Sequence, residues 1–329
     1  MHRPIQRASK WDKKIYQELP FTTAEELLRA VTPMPVLKTG TPYPRFIFRG
    51  QSDASWDLVP TALRRKPSDD VTTTAIRWID PRGLDSTWDG QVFAEFRLLQ
   101  LFIEACDRSV IPVPGDSFEF RKAWMDDQIS EVSSAYRFPS RWPFPAHLSA
   151  LAFAQHHGIP TRLLDWSHSA IVAAYFAAAG VLGEKQPSTG CIALWALNIE
   201  LLHIYPAIEV VQMPGAHSER LGAQRALFTV LRDQQVRGTN VRATSLDAAL
   251  ASSNEDRFRP KPLWKLTLPK SEALRLVYLC HINGVDAAAV YPNAEGAARA
   301  TKEQLAWLRT DPRTGRNATD HESSAGVSG

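Results

Sequence analysis

The chain of 329 residues lacks the features that mark a secreted or membrane-bound protein. Its three cysteines, Cys106, Cys191 and Cys280, lie far apart, which argues against a disulfide framework or a zinc site built from thiolates. The longest apolar stretch, residues 170–182, is shorter than the roughly 20 residues that span a bilayer. No apolar run follows the basic N-terminal residues, as it would in a secretory signal. We therefore expect a cytoplasmic protein that does not contact a membrane.

Several common catalytic and nucleotide-binding motifs are also missing. The chain has neither the G-x-x-x-x-G-K-[ST] phosphate loop nor the G-x-G-x-x-G turn, and it lacks the G-x-S-x-G turn of serine hydrolases. Its 38 basic and 35 acidic residues leave a net charge of +3, too small to indicate nucleic acid as a partner. His156 and His157 precede Asp165, but no further ligands occur at a supporting spacing, so we expect no metal.

Polar residues gather in the segment 155–167, with the sequence QHHGIPTRLLDWS, where the surrounding pattern predicts a buried core. Gly158 and Pro160 end a helix, and the next residues predict a short extended segment. The helix that follows, residues 170–182, is apolar on every face and must therefore be buried. Polar groups at its entry need partners or a ligand. These groups are Thr161, Arg162, Asp165 and Ser167.

A second notable segment is RFIFRGQ, residues 45–51, whose alternating apolar residues predict a half-buried strand. Gly50 ends the alternation at a point where the backbone could approach a ligand closely. Arg49 lies on the face opposite Phe46 and Phe48. It has two interpretations, an ion pair that closes the strand or a set of donors for a phosphate or ribose, and this strand alone favours the ion pair.

The remaining periodicities predict a mixture of helices and strands. The Thr23–Glu26 capping box begins a short helix, and helices near residues 91–106 and 118–136 form an inserted cover over the site. Strands are predicted at 191–197, 225–232, 263–268 and 284–292, with helices at 246–250, 271–283 and from Asn293 to about 308. We expect an extension at 1–21, one domain at 22–309 with the helical insertion at about 91–136, and a disordered tail at 310–329.

Five blocks of this sequence, in order, resemble the bacterial FRG domain family. They are F-I-F-R-G-Q at 46–51, Q-H-H-G-I-P-T-R-L-L-D-W-S at 155–167, R-L-G-A-Q-R-A-L-F at 220–228, W-K-L-T-L-P-K-S at 264–271 and Y-P-N-A-E-G-A-A-R at 291–299. The first two blocks are specific and the later three are looser. The resemblance covers about residues 22–302.

By the order of its elements, the FRG family resembles the NAD-using ADP-ribosyltransferase fold. That resemblance implies an α+β protein with a mixed or antiparallel sheet core, an inserted helical cover and NAD as the ligand. The implied catalytic residues are Arg49, Asp165 and Gln224. The implied cofactor-binding residues are Arg49, Gln51, Thr161, Arg162, Ser167 and Arg220.

The chain departs from the transferase pattern at the residue that should be a glutamate. A carboxylate steadies the positive charge that develops on the ribose as nicotinamide leaves. Here Gln224 precedes the strand, and an uncharged glutamine can hold a ribose hydroxyl but cannot balance that charge. Asp165 and Glu219 are the carboxylates that could replace it.

The resemblance thus implies an NAD- or nucleotide-binding protein of phage or mobile-element conflict, with ADP-ribosyltransferase or NAD glycohydrolase activity. The alternative is a module without catalysis that senses a nucleotide, a nucleic-acid end or a partner protein in the same cleft. Whether the protein is an enzyme stays open at this point, as do its acceptor and its oligomeric state.

Overall fold

A computed structural model describes residues 16–32, 46–64, 87–125, 139–182, 189–212, 224–232, 236–242, 244–252 and 261–309. The predicted tail at 310–329 and the residues 126–136 of the predicted second cover helix lie outside the described residues.

The described residues form one seven-stranded sheet in the order β1-β7-β4-β2-β3-β6-β5. The strands are β1 Gln17–Pro20, β2 Phe46–Gln51, β3 Leu163–Ser167, β4 Cys191–Asn198, β5 Ile208–Val211, β6 Ala226–Leu231 and β7 Leu263–Pro269. β1 pairs parallel with β7, and every other neighbouring pair is antiparallel. The predicted α+β class with a mixed sheet is therefore confirmed.

The described residues also form helices that pack around the sheet. They are α1 Ala24–Val31, α2 Trp88–Arg108, α3 Phe118–Met125, α4 Leu148–His156, α5 Ala170–Ala179, α6 Leu246–Ser252, α7 Ala273–Ile282, α8 Ala287–Val290 and α9 Ala294–Arg309. The Thr23 side chain caps α1, as the sequence predicts, and the Ser169 side chain caps α5. None of the helices in the described part of the chain is both long enough and apolar enough to cross a bilayer.

The sheet consists of two halves that meet at a single residue pair. β2 pairs with β4 along its whole length, from Phe46–Asn198 to Gln51–Ala193. β3 pairs with β6 in the same way, from Leu163 to Ser167. Between β2 and β3 only Phe48 and Ser167 are in register. Beyond that pair the two central strands carry no ladder, so the sheet opens at its centre.

The apolar helix α5 packs directly on β2, and Gly50 makes this possible. A Cβ atom at Gly50 would lie 2.0 Å from the carbonyl oxygen of Ala173 and 2.6 Å from the backbone nitrogen of Ala177. The sequence suggested that the backbone at Gly50 approaches a ligand. In the structure the close neighbour of the Gly50 Cα atom is the α5 backbone. Gly50 also lines the cleft described below, so an approach to a ligand stays a prediction.

The helices α2 and α3 do not cover the opening in the sheet. α2 buries Phe96, Leu99 and Ile103 in a cluster that includes Leu151 of α4 and Phe228 of β6. α2 is thus part of the core beside β3, β6 and β5. The expectation of an inserted cover over the site is wrong for the described residues 87–125.

Two further expectations change at the ends of the domain. Residues 284–292, predicted as a strand, contain the short helix α8, which begins where the Asp286 side chain accepts a hydrogen bond from the backbone of Ala289. Residues 17–20, predicted as part of an N-terminal extension, form β1 at the sheet edge and pair with β7 from Trp264 to Thr267.

Candidate functional site

A cleft of about 210 Å³ lies where β2 and β3 separate. It is therefore built where the ladder between β2 and β3 stops, and it is lined by residues of both strands and of α5. Its lining residues are Phe48, Arg49, Gly50, Gln51, Ser52, Trp56, Arg64, Asp165, Trp166, Ser167, Ala173, Phe176, Gln224 and Ala226.

Arg49 and Asp165 meet in this cleft although 116 positions separate them in the chain. The Nη1 atom of Arg49 lies 2.5 Å from the Oδ1 atom of Asp165 and donates a 2.8 Å hydrogen bond to the Asp165 backbone carbonyl. A side chain from β2 thus bridges to β3 where the backbone ladder stops. The ion pair that the strand pattern favoured for Arg49 is present.

The Arg49 side chain is largely buried, whereas the Asp165 side chain is largely exposed. Their side chains are 11% and 60% exposed, respectively. Partial desolvation acts to raise the pKa of Asp165, but the charge and hydrogen bond of Arg49, assisted by Arg64, lower that pKa below its usual range. Asp165 is therefore ionised throughout the neutral pH range.

Arg64 is a second cation in the cleft that the sequence did not single out. Its Nε atom donates a 2.8 Å hydrogen bond to the carbonyl of Val59. Burial first, and then the charge of Arg49, lower the pKa of Arg64, while Asp165 opposes this shift. The cleft thus contains two arginines and one carboxylate among the described lining residues, which leaves an excess of positive charge.

Trp56 is another lining residue that the sequence did not single out. It is 51% exposed and borders the cleft. The signal for it was the neighbouring polar residues in QSDASWD, which give a tryptophan little to pack against. An exposed indole beside arginines offers a flat surface on which a planar ring can stack.

Ser167 and Gln224 form the wall of the cleft opposite β2, and both make hydrogen bonds within the protein. The Ser167 hydroxyl donates to the backbone carbonyl of Gln224 at 2.7 Å and accepts from the backbone of Ser169 at 3.0 Å. The Gln224 side chain donates to the carbonyl of Val290 at 3.3 Å. The predicted wall is thus tied to β3, to the start of α5 and to the end of α8.

Gln51 lines the cleft, but its amide group is already engaged. Its Oε1 atom accepts a 2.7 Å hydrogen bond from the indole of Trp195, and its Nε2 atom donates to the carbonyl of Asp57 at 3.3 Å. Gln51 therefore fixes the loop that carries Trp56.

Thr161 and Arg162 are not among the lining residues. The Thr161 hydroxyl donates to Gln155 and accepts from the backbone of Leu163. Arg162 makes two hydrogen bonds, of 2.7 and 2.9 Å, to the buried carboxylate of Glu95. Both side chains stabilise the protein beside the cleft. Arg220, the remaining predicted binding residue, and Glu219 lie outside the described residues.

No group of three His, Cys, Asp or Glu side chains in the described residues could hold a metal ion. The chemistry of the cleft is that of cations beside one paired carboxylate and an exposed aromatic ring. Such a set suits a ligand with phosphate and a planar ring.

In a comparison with known protein families, residues 44–186 match the FRG domain. The chain contains an FRG domain. No curated protein and no solved structure matches the chain.

The matched FRG segment carries most of the cleft. It includes β2, β3 and α5, and with them Arg49, Trp56, Arg64, Asp165 and Ser167. Gln224 and the strands β4 and β6, which pair with β2 and β3, follow after residue 186. The FRG domain therefore depends on later parts of the chain for its sheet.

Proposed function

We propose that the cleft between β2 and β3 binds a nucleotide, with NAD as the first ligand to test. The observation that carries this proposal is the convergence of Arg49, Arg64 and Trp56 on one cleft. The arginines supply donors for a diphosphate or ribose, and the indole supplies a stacking surface for a base or nicotinamide ring.

The size of the cleft supports binding of part of a dinucleotide within it. Its volume of about 210 Å³ is below the roughly 300–1,000 Å³ of pockets that enclose a whole drug-sized ligand. A diphosphate and one sugar fit such a space. The rest of the ligand would then extend over the open side, where Trp56 is exposed.

Transfer of ADP-ribose, or hydrolysis of NAD, is the catalytic form of this proposal, in keeping with the resemblance to the ADP-ribosyltransferase fold. Asp165 is the carboxylate among the described lining residues, and it would steady the positive charge on the ribose as nicotinamide leaves. Gln224 would orient the ribose by hydrogen bonding.

Nucleotide sensing without turnover is the second candidate, and a specific observation favours it. Asp165 is already paired with Arg49 at 2.5 Å, which reduces the charge it can offer to a cationic ribose. Gln224 supplies no charge. A domain of this kind would report nucleotide binding to a partner, in a cytoplasmic response to phages or mobile elements, as the FRG resemblance implies.

One experiment tests binding and turnover together. The protein is incubated with NAD, free nicotinamide is measured, and the melting temperature is recorded with and without NAD. A saturating ligand at about 100 times its Kd stabilises the folded state by roughly 2.7 kcal/mol, so binding raises the melting temperature. Nicotinamide release supports the transferase or hydrolase form, and stabilisation without release supports sensing.

The matched variants are Arg49→Ala and Arg121→Ala. Arg121 pairs with Asp107 and Asp116 outside the cleft, so its loss removes an ion-paired arginine without touching the site. We expect Arg49→Ala to abolish the NAD effect and Arg121→Ala to retain it. If neither NAD nor another nucleotide stabilises the wild-type protein, the proposed function is wrong.

A further inference from the structure

Arg49 is held in the cleft by Asp165, but this arrangement leaves the guanidinium incompletely satisfied. Its Nη1 atom serves both the carboxylate and the backbone carbonyl of Asp165. Its Nε atom is buried and has no hydrogen-bond partner. A buried donor without a partner costs free energy. The pair with Asp165 therefore leaves one donor of Arg49 unsatisfied.

The Asp165 carboxylate has other partners, water and Gln155, if a ligand displaces it from Arg49. Its side chain is 60% exposed, and its Oδ1 atom also accepts a 3.2 Å hydrogen bond from the Gln155 amide. The carboxylate can therefore turn to water and Gln155 without being buried unpaired. The hydrogen bond from Arg49 to the Asp165 backbone carbonyl does not depend on the carboxylate and can keep the two strands bridged.

Arg64 lies in the same cleft, close enough for the charges of Arg49 and Asp165 to act on it. Its Nε atom donates a hydrogen bond to the Val59 carbonyl, and this contact holds the guanidinium in position. The guanidinium has further N–H donors at its two Nη atoms. A ligand that reaches both arginines thus meets one cation that is paired with Asp165 and a second that has no carboxylate partner among the described residues.

We propose that the cleft selects a diphosphate over a single phosphate group because the diphosphate bridges Arg49 and Arg64, and that Asp165 weakens the binding of either anion by competing for Arg49. The proposal rests on the proposed nucleotide-binding function and names the part of the ligand that is recognised. Asp165 acts as an internal anion that a ligand must replace.

The competition with Asp165 weakens the binding of a single phosphate group, and the second arginine compensates for it only with a diphosphate. A single phosphate group that takes the place of the Asp165 carboxylate exchanges one anion for another on Arg49 and meets repulsion from the displaced carboxylate. A diphosphate makes the same exchange but also gains the charge-assisted hydrogen bonds of Arg64. Both probes replace the same carboxylate, so removing it raises the affinity for each by a similar factor, and the preference for the diphosphate, which comes from Arg64, remains.

The test uses inorganic pyrophosphate and inorganic phosphate as probes, with affinities measured by calorimetry at constant ionic strength. For the wild-type protein we expect pyrophosphate to bind at least about tenfold more tightly than phosphate, a difference of about 1.4 kcal/mol. The Asp165→Asn variant keeps the shape of the side chain and removes its charge. We expect the affinities for phosphate and for pyrophosphate both to rise about tenfold or more in this variant, with the preference for pyrophosphate retained.

Asp57→Asn is the matched control for charge. Asp57 is exposed and follows Trp56 at the edge of the cleft, and it makes no ion pair with Arg49. A general change of field would raise phosphate affinity equally in Asp57→Asn and Asp165→Asn, and that result would overturn the proposal. Equal wild-type affinities for the two probes would also overturn it.

Arg64→Gln tests whether a diphosphate bridges Arg49 and Arg64, and it leaves Asp165 unchanged. The variant should lose pyrophosphate affinity and keep phosphate affinity, and an equal loss of both would contradict the bridge. The outcome is separable from that of the proposed function. If pyrophosphate is preferred but no nucleotide binds, the nucleotide proposal fails and the diphosphate site stands. If nucleotides bind but Asp165→Asn behaves like Asp57→Asn, the nucleotide proposal stands and the proposed competition by Asp165 fails.

Discussion

Two arginines of the sequence motifs, Arg49 and Arg162, have different surroundings in the structure. The Arg162 side chain is 4% exposed and its partner Glu95 is 1% exposed, whereas the partner of Arg49 is 60% exposed. Glu95 also accepts hydrogen bonds from Gln91 and from the Trp142 indole. Loss of Arg162 is therefore a question of stability, and loss of Arg49 is a question of binding.

Arg162→Ala should lower the free energy of unfolding by about 3–5 kcal/mol, because it leaves the buried Glu95 carboxylate without its cation. Urea denaturation measures the change. The matched control is Arg299→Ala, which removes an arginine that is 53% exposed and pairs with Glu295 at 2.5 Å. Its cost should be about 0–1 kcal/mol. Similar losses in the two variants would show that burial of the Arg162 pair does not matter.

Glu303 is a buried acid whose titration affects folding. It accepts a 2.6 Å hydrogen bond from the Tyr175 hydroxyl and is 9% exposed. Burial raises the pKa of Glu303, and the hydrogen bond from Tyr175 opposes this shift only in part. A raised pKa in the folded state gives a stability contribution that is present below the unfolded-state value and is lost as the pH rises through the folded-state value.

Glu303→Gln removes this titration. The stability of the wild-type protein relative to the variant should therefore fall as the pH rises from about 4 to about 7. Denaturation of both proteins across that range measures the difference, and groups that the two proteins share cancel. A difference that does not change with pH would mean that the pKa of Glu303 is not raised.

At the scale of elements, the contact between β2 and α5 sets the geometry of the cleft, because both elements line it. Their closest approach is at Gly50, where the α5 backbone leaves no room for a side chain. The sequence alone could identify Gly50 as a position of close approach. It could not identify the neighbour, because the contact joins residues more than a hundred positions apart.

Gly50→Ala should destabilise the protein by at least about 2 kcal/mol, since the added methyl group must push α5 from β2. Thermal or urea unfolding measures this loss. The double variant Gly50→Ala with Ala177→Gly removes the Cβ neighbour at 3.0 Å but keeps the carbonyl of Ala173 and the nitrogen of Ala177. It should recover little stability. Full recovery would place the conflict with the Ala177 side chain rather than with the α5 backbone.

Elements with strong local signals were predicted correctly, and those that depend on neighbours were not. The alternation in β2 and β7 and the cap of α1 are written in adjacent residues. Residues 284–292 carry a run of alanines that suits either class, and the Asp286 cap decides for a helix. The position of α2 against α4 and β6 follows from long-range packing that no local pattern encodes.

At the scale of the whole molecule, the two halves of the sheet explain which parts of the site could be predicted. The specific motifs carry Arg49 and Asp165, so their meeting could be predicted. Trp56 and Arg64 lie between the motifs and reach the cleft only because the loop after β2 returns to the opening. Thr161 and Arg162 belong to the same motif as Asp165, but their side chains are used in hydrogen bonds that the motif does not reveal.

The same arrangement predicts that residues 44–186, the segment matched by the FRG domain, do not fold alone. β2 makes its full ladder with β4 and β3 makes its full ladder with β6, and both partners follow after residue 186. Inside the segment the strands share one pair, Phe48 with Ser167. Two strands without a ladder cannot form a stable sheet in water.

We therefore expect a fragment of residues 44–186 to show no cooperative unfolding transition by circular dichroism in urea, and a fragment of residues 16–309 to unfold as cooperatively as the full chain. The longer fragment is the control, because it retains every strand of the described sheet. A cooperative transition in the short fragment would mean that its strands pair differently when β4 and β6 are absent. The cleft would then not depend on the separation of β2 and β3 that places Arg49 beside Asp165.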